Sequence, residues 1–215
     1  YGYALDKTPV AFSVSLENAE KENSLTIVKV EKQNTAQKGK ISVRKTGDIF
    51  TSVNMASSAY TDENGELVVN STTYTPVFAD GDLSGAVFQV IAVEDIVTLD
   101  GTTRAYAGDV VSEITTDENG YAETEPLYLG KYEVREIKAP YGYVLNNEPK
   151  DVELTYAGQE FEVRDTVNTA FENEYQSVRI SLSKVMENDE LFGIGNNNEY
   201  LSVRFGLFAA EDIQA

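Results

Sequence analysis

The chain of 215 residues contains no cysteine and no histidine. Without cysteine there is no disulfide, no thiolate nucleophile and no cysteine-ligated zinc. Without histidine the usual general base and the commonest transition-metal ligand are both missing. Basic residues are scarce: 17 Lys and Arg stand against 36 Asp and Glu, a formal net charge of −19. A phosphate backbone or an anionic lipid surface would be repelled, which argues against nucleic-acid and membrane partners. No apolar run is long enough to cross a bilayer as a helix. The opening residues, YGYALDKTP, lack the basic region and apolar stretch of a secretory leader, so the chain does not read as an intact precursor. Any covalent brace must come from chemistry other than cystine.

What is present is internal similarity. YGYALDKTP at 1–9 resembles YGYVLNNEP at 141–149, an offset of 140. KGKISVRK at 38–45 resembles SVRISLSK at 177–184, an offset of 139. FQVIAVEDI at 88–96 resembles FGLFAAEDI at 205–213, an offset of 117. The third is shorter by 22, so the middle copy carries an insertion between Lys45 and Leu83. The chain thus reads as part of a longer tandem array: 1–34 the end of a preceding repeat, 35–175 a complete repeat with an insertion at 46–82, and 176–215 the start of a following one. Such arrays are extended, with contacts mainly between neighbours.

The segments PVAFSVSLE, NSLTIVKVE, KISVRK, AVFQVIAV, GKYEVREI and KDVELTY are short, rich in Val, Ile, Tyr and Phe, and often alternating. TDENG occurs at 61–65 and 116–120, each time between strand-like runs, and Asn-Gly is a hairpin signal. The expected fold class is all-β, a β-sandwich.

Strand parity shows which residues share a face. Ile41, Val43 and Lys45 share one, and Ile180, Leu182 and Lys184 repeat the arrangement. Tyr132, Val134 and Glu136 share another. Val167, Thr169, Phe171 and Asn173 share a third. A Lys, a Glu and an Asn therefore each end an apolar stripe. Burial lowers a lysine pKa and raises a glutamate pKa. A neutral amine is a nucleophile, and a protonated carboxyl beside an amide can polarise it and relay protons to leaving ammonia. These are the ingredients of an intramolecular Lys–Asn isopeptide bond. A strand-end lysine also snorkels to solvent, and a lone inward glutamate also serves as an ion-pair partner, so parity alone leaves these readings open. Asn168 and Glu133 lie on the opposite faces of their strands. Lys38, Lys40 and Lys131 read as solvated strand-end or turn residues.

The segment LYLGKYEVREIKAPYGYVL (127–145) resembles the signature L-x-x-G-x-Y-x-x-x-E-x-x-A-P-x-G-Y of Cna B-type repeats, also called SpaA-type or prealbumin-like domains, which build surface proteins and pilins of Gram-positive bacteria. LSGAVFQV (83–90) and TTDENGYA (115–122) match as well. The resemblance implies a Greek-key β-sandwich, with Lys45 as amine, Asn173 as acceptor and Glu136 as catalytic acid. It also implies a location outside the cell, attached to the wall. Asn34 stands seven residues before Ile41, as Asn173 does before Ile180. It is therefore expected to be the acceptor of the preceding repeat, and Lys184 the amine of the following one, both unlinked in this chain. Each terminal segment lacks half its sandwich and should fray or pair with something.

Three functions compete. The first is a structural stalk module whose only chemistry is its own cross-link, with neighbouring repeats as partners and no cofactor or metal. The second is an adhesive module that binds a host protein or glycan through 46–82. The third is an enzyme acting on other molecules through paired carboxylates. With so many acidic residues chance pairs abound, and none stands out. Calcium binding at Asp-Glu-Asn-Gly is disfavoured, because the string lacks EF-hand spacing and the bidentate Glu.

Overall fold

The structure, a computed structural model, describes residues 2–14, 20–22, 25–164, 166–183, 205–208 and 210. No helix occurs among them. The described residues form fourteen strands: β1 (Glu20–Glu22), β2 (Leu25–Ile27), β3 (Lys38–Gly39), β4 (Ile41–Thr61), β5 (Leu67–Asp82), β6 (Val87–Ala92), β7 (Ile96–Val97), β8 (Thr103–Ala105), β9 (Val110–Thr115), β10 (Tyr121–Glu123), β11 (Leu127–Tyr128), β12 (Gly130–Lys138), β13 (Lys150–Leu154) and β14 (Val167–Asn173). The chain divides into two compact units, one of residues 1–48 with 79–175, the other of 49–78 with 176–215.

The first unit is the sandwich. One sheet has the order β10-β4-β14, and the other β13-β12-β6-β9. Alternation sends Ile41 and Val43 from β4 and Phe171 from β14 inward, where they meet Phe88 and Val90 of β6, Val134 of β12 and Leu154 of β13. The rings of Phe88 and Phe171 lie 4.8 Å apart and tie the two sheets together. β14 runs parallel to β4, with Phe171 opposite Lys45 and Asn173 opposite Gly47.

Both TDENG strings form turns. At the second, Asp117 Oδ1 accepts from Asn119 N at 2.9 Å and Tyr121 N at 2.9 Å, and Gly120 takes φ +65°. At the first, Asp62 Oδ1 accepts from Asn64 N and Glu66 N, and Gly65 takes φ +82°. The aspartate thus organises the turn by capping backbone donors, and the glycine supplies the left-handed residue. Gly120 is also confined: a Cβ there would meet Lys45 O at 2.4 Å.

The second unit contains the hairpin made by the outer part of β4 with β5. Ser57 Oγ and Thr72 Oγ1 face each other across it at 3.1 Å, and Phe50 meets Phe78 edge-on. Val53, Met55, Tyr60, Leu67 and Tyr74 are exposed along it.

The terminal segments depart from the strand reading. PVAFSVSLE carries no strand over 9–14, and strand ends at Ile27 within NSLTIVKVE. The reason is visible in the period mates. Phe12 and Val14 correspond to Val152 and Leu154 of β13, which are buried because β13 pairs with β12. Phe12 has no such strand partner among the described residues and is 65% exposed where Val152 is 5%. Val178, Ile180 and Leu182 are likewise exposed, although Ile180 and Leu182 match the fully buried Ile41 and Val43.

Residues 2–8 do find partners. Ala4 N donates to Thr35 O at 2.9 Å, and Tyr3 bridges Ala36. Val144 N donates to Glu174 O at 2.9 Å, and Tyr143 bridges Tyr175. Thr8 N donates to Asp6 Oδ1 at 2.8 Å, and Glu148 N donates to Asn146 Oδ1 at 3.0 Å. The sequence repeat is therefore repeated as hydrogen-bonded structure.

Candidate functional site

Three polar side chains enter the sandwich at one end of its core. Lys45, Glu136 and Asn173 are 0%, 2% and 3% exposed. Parity explains each. Lys45 follows Ile41 and Val43 on β4, Glu136 follows Tyr132 and Val134 on β12, and Asn173 follows Phe171 on β14. Lys45 and Asn173 sit on adjacent strands of one sheet, and Glu136 projects from the other. The β12–β6 register shifts between Glu136 and Lys138, an irregularity beside the carboxylate. Gly47 permits the close approach at the end of β14, since a Cβ there would lie 2.5 Å from Asn173 O.

Both Glu136 oxygens are engaged. Oε1 accepts from Asn173 Nδ2 at 2.9 Å, and Oε2 from Asn146 N at 2.8 Å. Asn173 Oδ1 is buried without a hydrogen-bond partner among the described residues. Among the described residues the Lys45 ammonium reaches only Thr46 O, at 3.4 Å. Burial pulls its pKa down from 10.5 to about 8, against the opposing charges of Glu136 and Glu172, while Lys150 adds to the lowering. Relative to an exposed lysine, a shift of this size raises the neutral amine fraction at pH 7 on the order of a few hundredfold.

The pKa shift has a thermodynamic consequence. In an Asn173→Ala chain, where Lys45 has no acceptor, the unfolded state binds more protons than the folded state above pH 8. Stability must therefore rise from pH 8 towards 10. Tyr132, which burial pushes up to about 12, acts oppositely above its ordinary 10 and closes the window. Urea midpoints of Asn173→Ala should climb between pH 8 and 10. Adding Lys45→Met should flatten that climb.

The other named residues lie elsewhere. Asn168 is exposed and accepts from Ser42 Oγ at 2.5 Å. Glu133 accepts from Arg135 at 2.6 Å on the outer face. Lys40 pairs with Glu123 at 2.5 Å, Lys131 lies 3.6 Å from Glu94, and Lys38 sits over the Tyr128 ring. Asn34 is exposed, its Oδ1 accepting from Asp6 N at 3.5 Å. Lys184 lies outside the described residues. Sequence reasoning missed Asn146, whose contribution is a main-chain N–H that no side-chain pattern marks.

Residues 77–169 match the SpaA family, a prealbumin-like fold domain. Of the buried trio, the matched span contains Glu136 but neither Lys45 nor Asn173. The chain is also similar to the trypsin-resistant surface T6 protein of Streptococcus pyogenes serotype M6, at 27% identity over 157 residues. That stretch is 73% of this chain and 25% of the relative, so the chain spans about a quarter of the curated protein it matches. Among solved structures, the minor pilin GBS52 of Streptococcus agalactiae aligns at 17% identity and TM-score 0.39, covering 69% of this chain and 49% of that one. The major pilin SpaD of Corynebacterium diphtheriae aligns at 20% identity and TM-score 0.37, covering 65% and 30%.

Proposed function

We propose that the chain is a stalk module of a Gram-positive surface or pilus-like protein, located outside the cell on the wall and braced by a self-formed Lys45–Asn173 isopeptide bond. The observation that carries this reading is the buried trio: among the described residues, an amine with one long contact, an amide oxygen with none, and a carboxylate on the amide nitrogen. Lys45 Nζ attacks Asn173 Cγ, forming the new C–N bond. The Cγ–Nδ2 bond breaks, and the proton shed by the amine passes through Glu136 to Nδ2, which departs as ammonia. The step is redox-neutral and needs no cofactor or metal. Neighbouring repeats are the expected partners, and the duplicated hydrogen bonds at 3–8 and 143–148 support a tandem arrangement. In the same arrangement Asn34 and Lys184 serve the repeats on either side.

Intact mass spectrometry tests the chemistry. The wild type should be lighter than its sequence by one ammonia, and Glu136→Ala should have its full mass. Full mass in the wild type would remove the cross-link from the account.

A second reading is favoured by the exposed Val53, Met55, Tyr60, Leu67 and Tyr74 of the hairpin, which offer an adhesive surface for a host protein or glycan. Reproducible binding on a glycan or protein array, lost when 49–78 is deleted, would support it. No binding would leave the hairpin as an extension of the stalk.

A further inference from the structure

We infer that residues 141–145 form a docking surface for the base of a following repeat, reproducing a joint that residues 2–7 already make with Gln37. The inference rests on the tandem reading and adds to it a specific interface.

The occupied joint has three parts. A strap, residues 2–7, lies against the base of the sandwich: Leu5 N donates to Gln159 O at 2.8 Å, Asp100 N donates to Tyr3 Oη at 3.2 Å, and Lys7 pairs with Glu160. Gly2 faces Leu99, within 3.6 Å of where a Cβ would stand. Gln37 then locks strap to base. Its main-chain N–H donates to Gly2 O at 2.9 Å. Its side-chain Nε2 donates to Gly158 O at 2.8 Å and Phe161 O at 2.7 Å, and its Oε1 accepts from Ala157 N at 2.7 Å. A glutamine with three main-chain bonds and 1% exposure is a fixed element, because burial without those bonds would cost several times what each contributes.

The second copy of the strap has the same internal geometry and, among the described residues, no base. Tyr143 bridges Tyr175 as Tyr3 bridges Ala36, so the next residue in sequence, Gln176, corresponds to Gln37. Yet Val144 is 51% exposed where Ala4 is 5%. Leu145 N–H, the counterpart of the Leu5 donor, has no main-chain acceptor among the described residues. The second strap is held by its own domain, through Asn146 N on Glu136 Oε2 and Tyr143 Oη on Asp48 O, but among the described residues it lacks the sandwich base that lies against the first. The fitting occupant of the second is therefore a base of the same construction, presenting a turn like 98–100 and a loop like 157–161. The base within this chain is already filled by its own strap, which points to a following repeat rather than to a second copy of the chain.

The test repeats residues 37–175 directly after Tyr175, placing a second Gln37 at the position of Gln176. Hydrogen exchange should slow at the Leu145 amide by roughly 100-fold relative to the 215-residue chain. In the 215-residue chain itself, Leu5→Pro removes the donor to Gln159 and should speed exchange at the Gln37 amide, with Val90 and Val134 unchanged. Unchanged Leu145 exchange with an ammonia lost from each copy would overturn the joint while leaving the cross-link and the repeats intact. An appended copy that neither folds nor loses ammonia would overturn the repeat reading, and the joint with it.

Discussion

Held at its two ends and pulled, the wild-type chain should gain no length from residues 46–172, whereas Glu136→Ala should release about 440 Å of contour when the sandwich opens. The expectation follows from topology. β4 and β14 are parallel neighbours, so tension entering before Ile41 and leaving after Asn173 slides one strand along the other. In the unlinked chain the ladder between them fails, and everything between the strands unravels. With the proposed bridge, force passes from Lys45 to Asn173 through a single covalent bond and bypasses the fold. Because the link is an amide, reductant should not restore the extension, unlike a disulfide. Single-molecule force spectroscopy reads the difference directly. A 440 Å step in the wild type would show that the strands are not joined.

The second large effect is on stability. Closing a loop from Lys45 to Asn173 removes about 5 kcal/mol of unfolded-state entropy on the chain-entropy model. Lys45→Met is the cleanest variant, since it keeps an unbranched chain in the core and removes the charge. It should lose about that amount in urea unfolding. Glu136→Ala should be less stable still, because it also leaves the buried amine without its carboxylate and the Asn146 N–H without an acceptor. Equal midpoints for wild type and Lys45→Met would argue that no loop is closed.

Much of the site was legible because strands have a period of two. Counting from Ile41, Tyr132 and Val167 puts Lys45, Glu136 and Asn173 on inner faces, and the same parity sends Glu133 and Asn168 outward. The apolar pattern alone did not establish which segments become strands. Phe12 and Val14 carry the alternation of Val152 and Leu154, yet are exposed, with no strand paired to them among the described residues. A strand is stabilised by its partners as much as by its own residues. Gln37 could not be found by pattern, since it is polar, lies outside any strand, and is buried by a loop 120 residues away at Ala157. The turns show a third case. The TDENG strings were recognisable, but the capping role of Asp62 and Asp117 emerges only from the hydrogen bonds.

The most direct measurement is proteolysis of the unfolded wild-type chain followed by tandem mass spectrometry. The account predicts one branched peptide joining the Lys45 segment to the Asn173 segment through an amide, absent from Glu136→Ala and from Lys45→Met. Recovery of the two segments only as separate linear peptides, each at its unmodified mass, would contradict it.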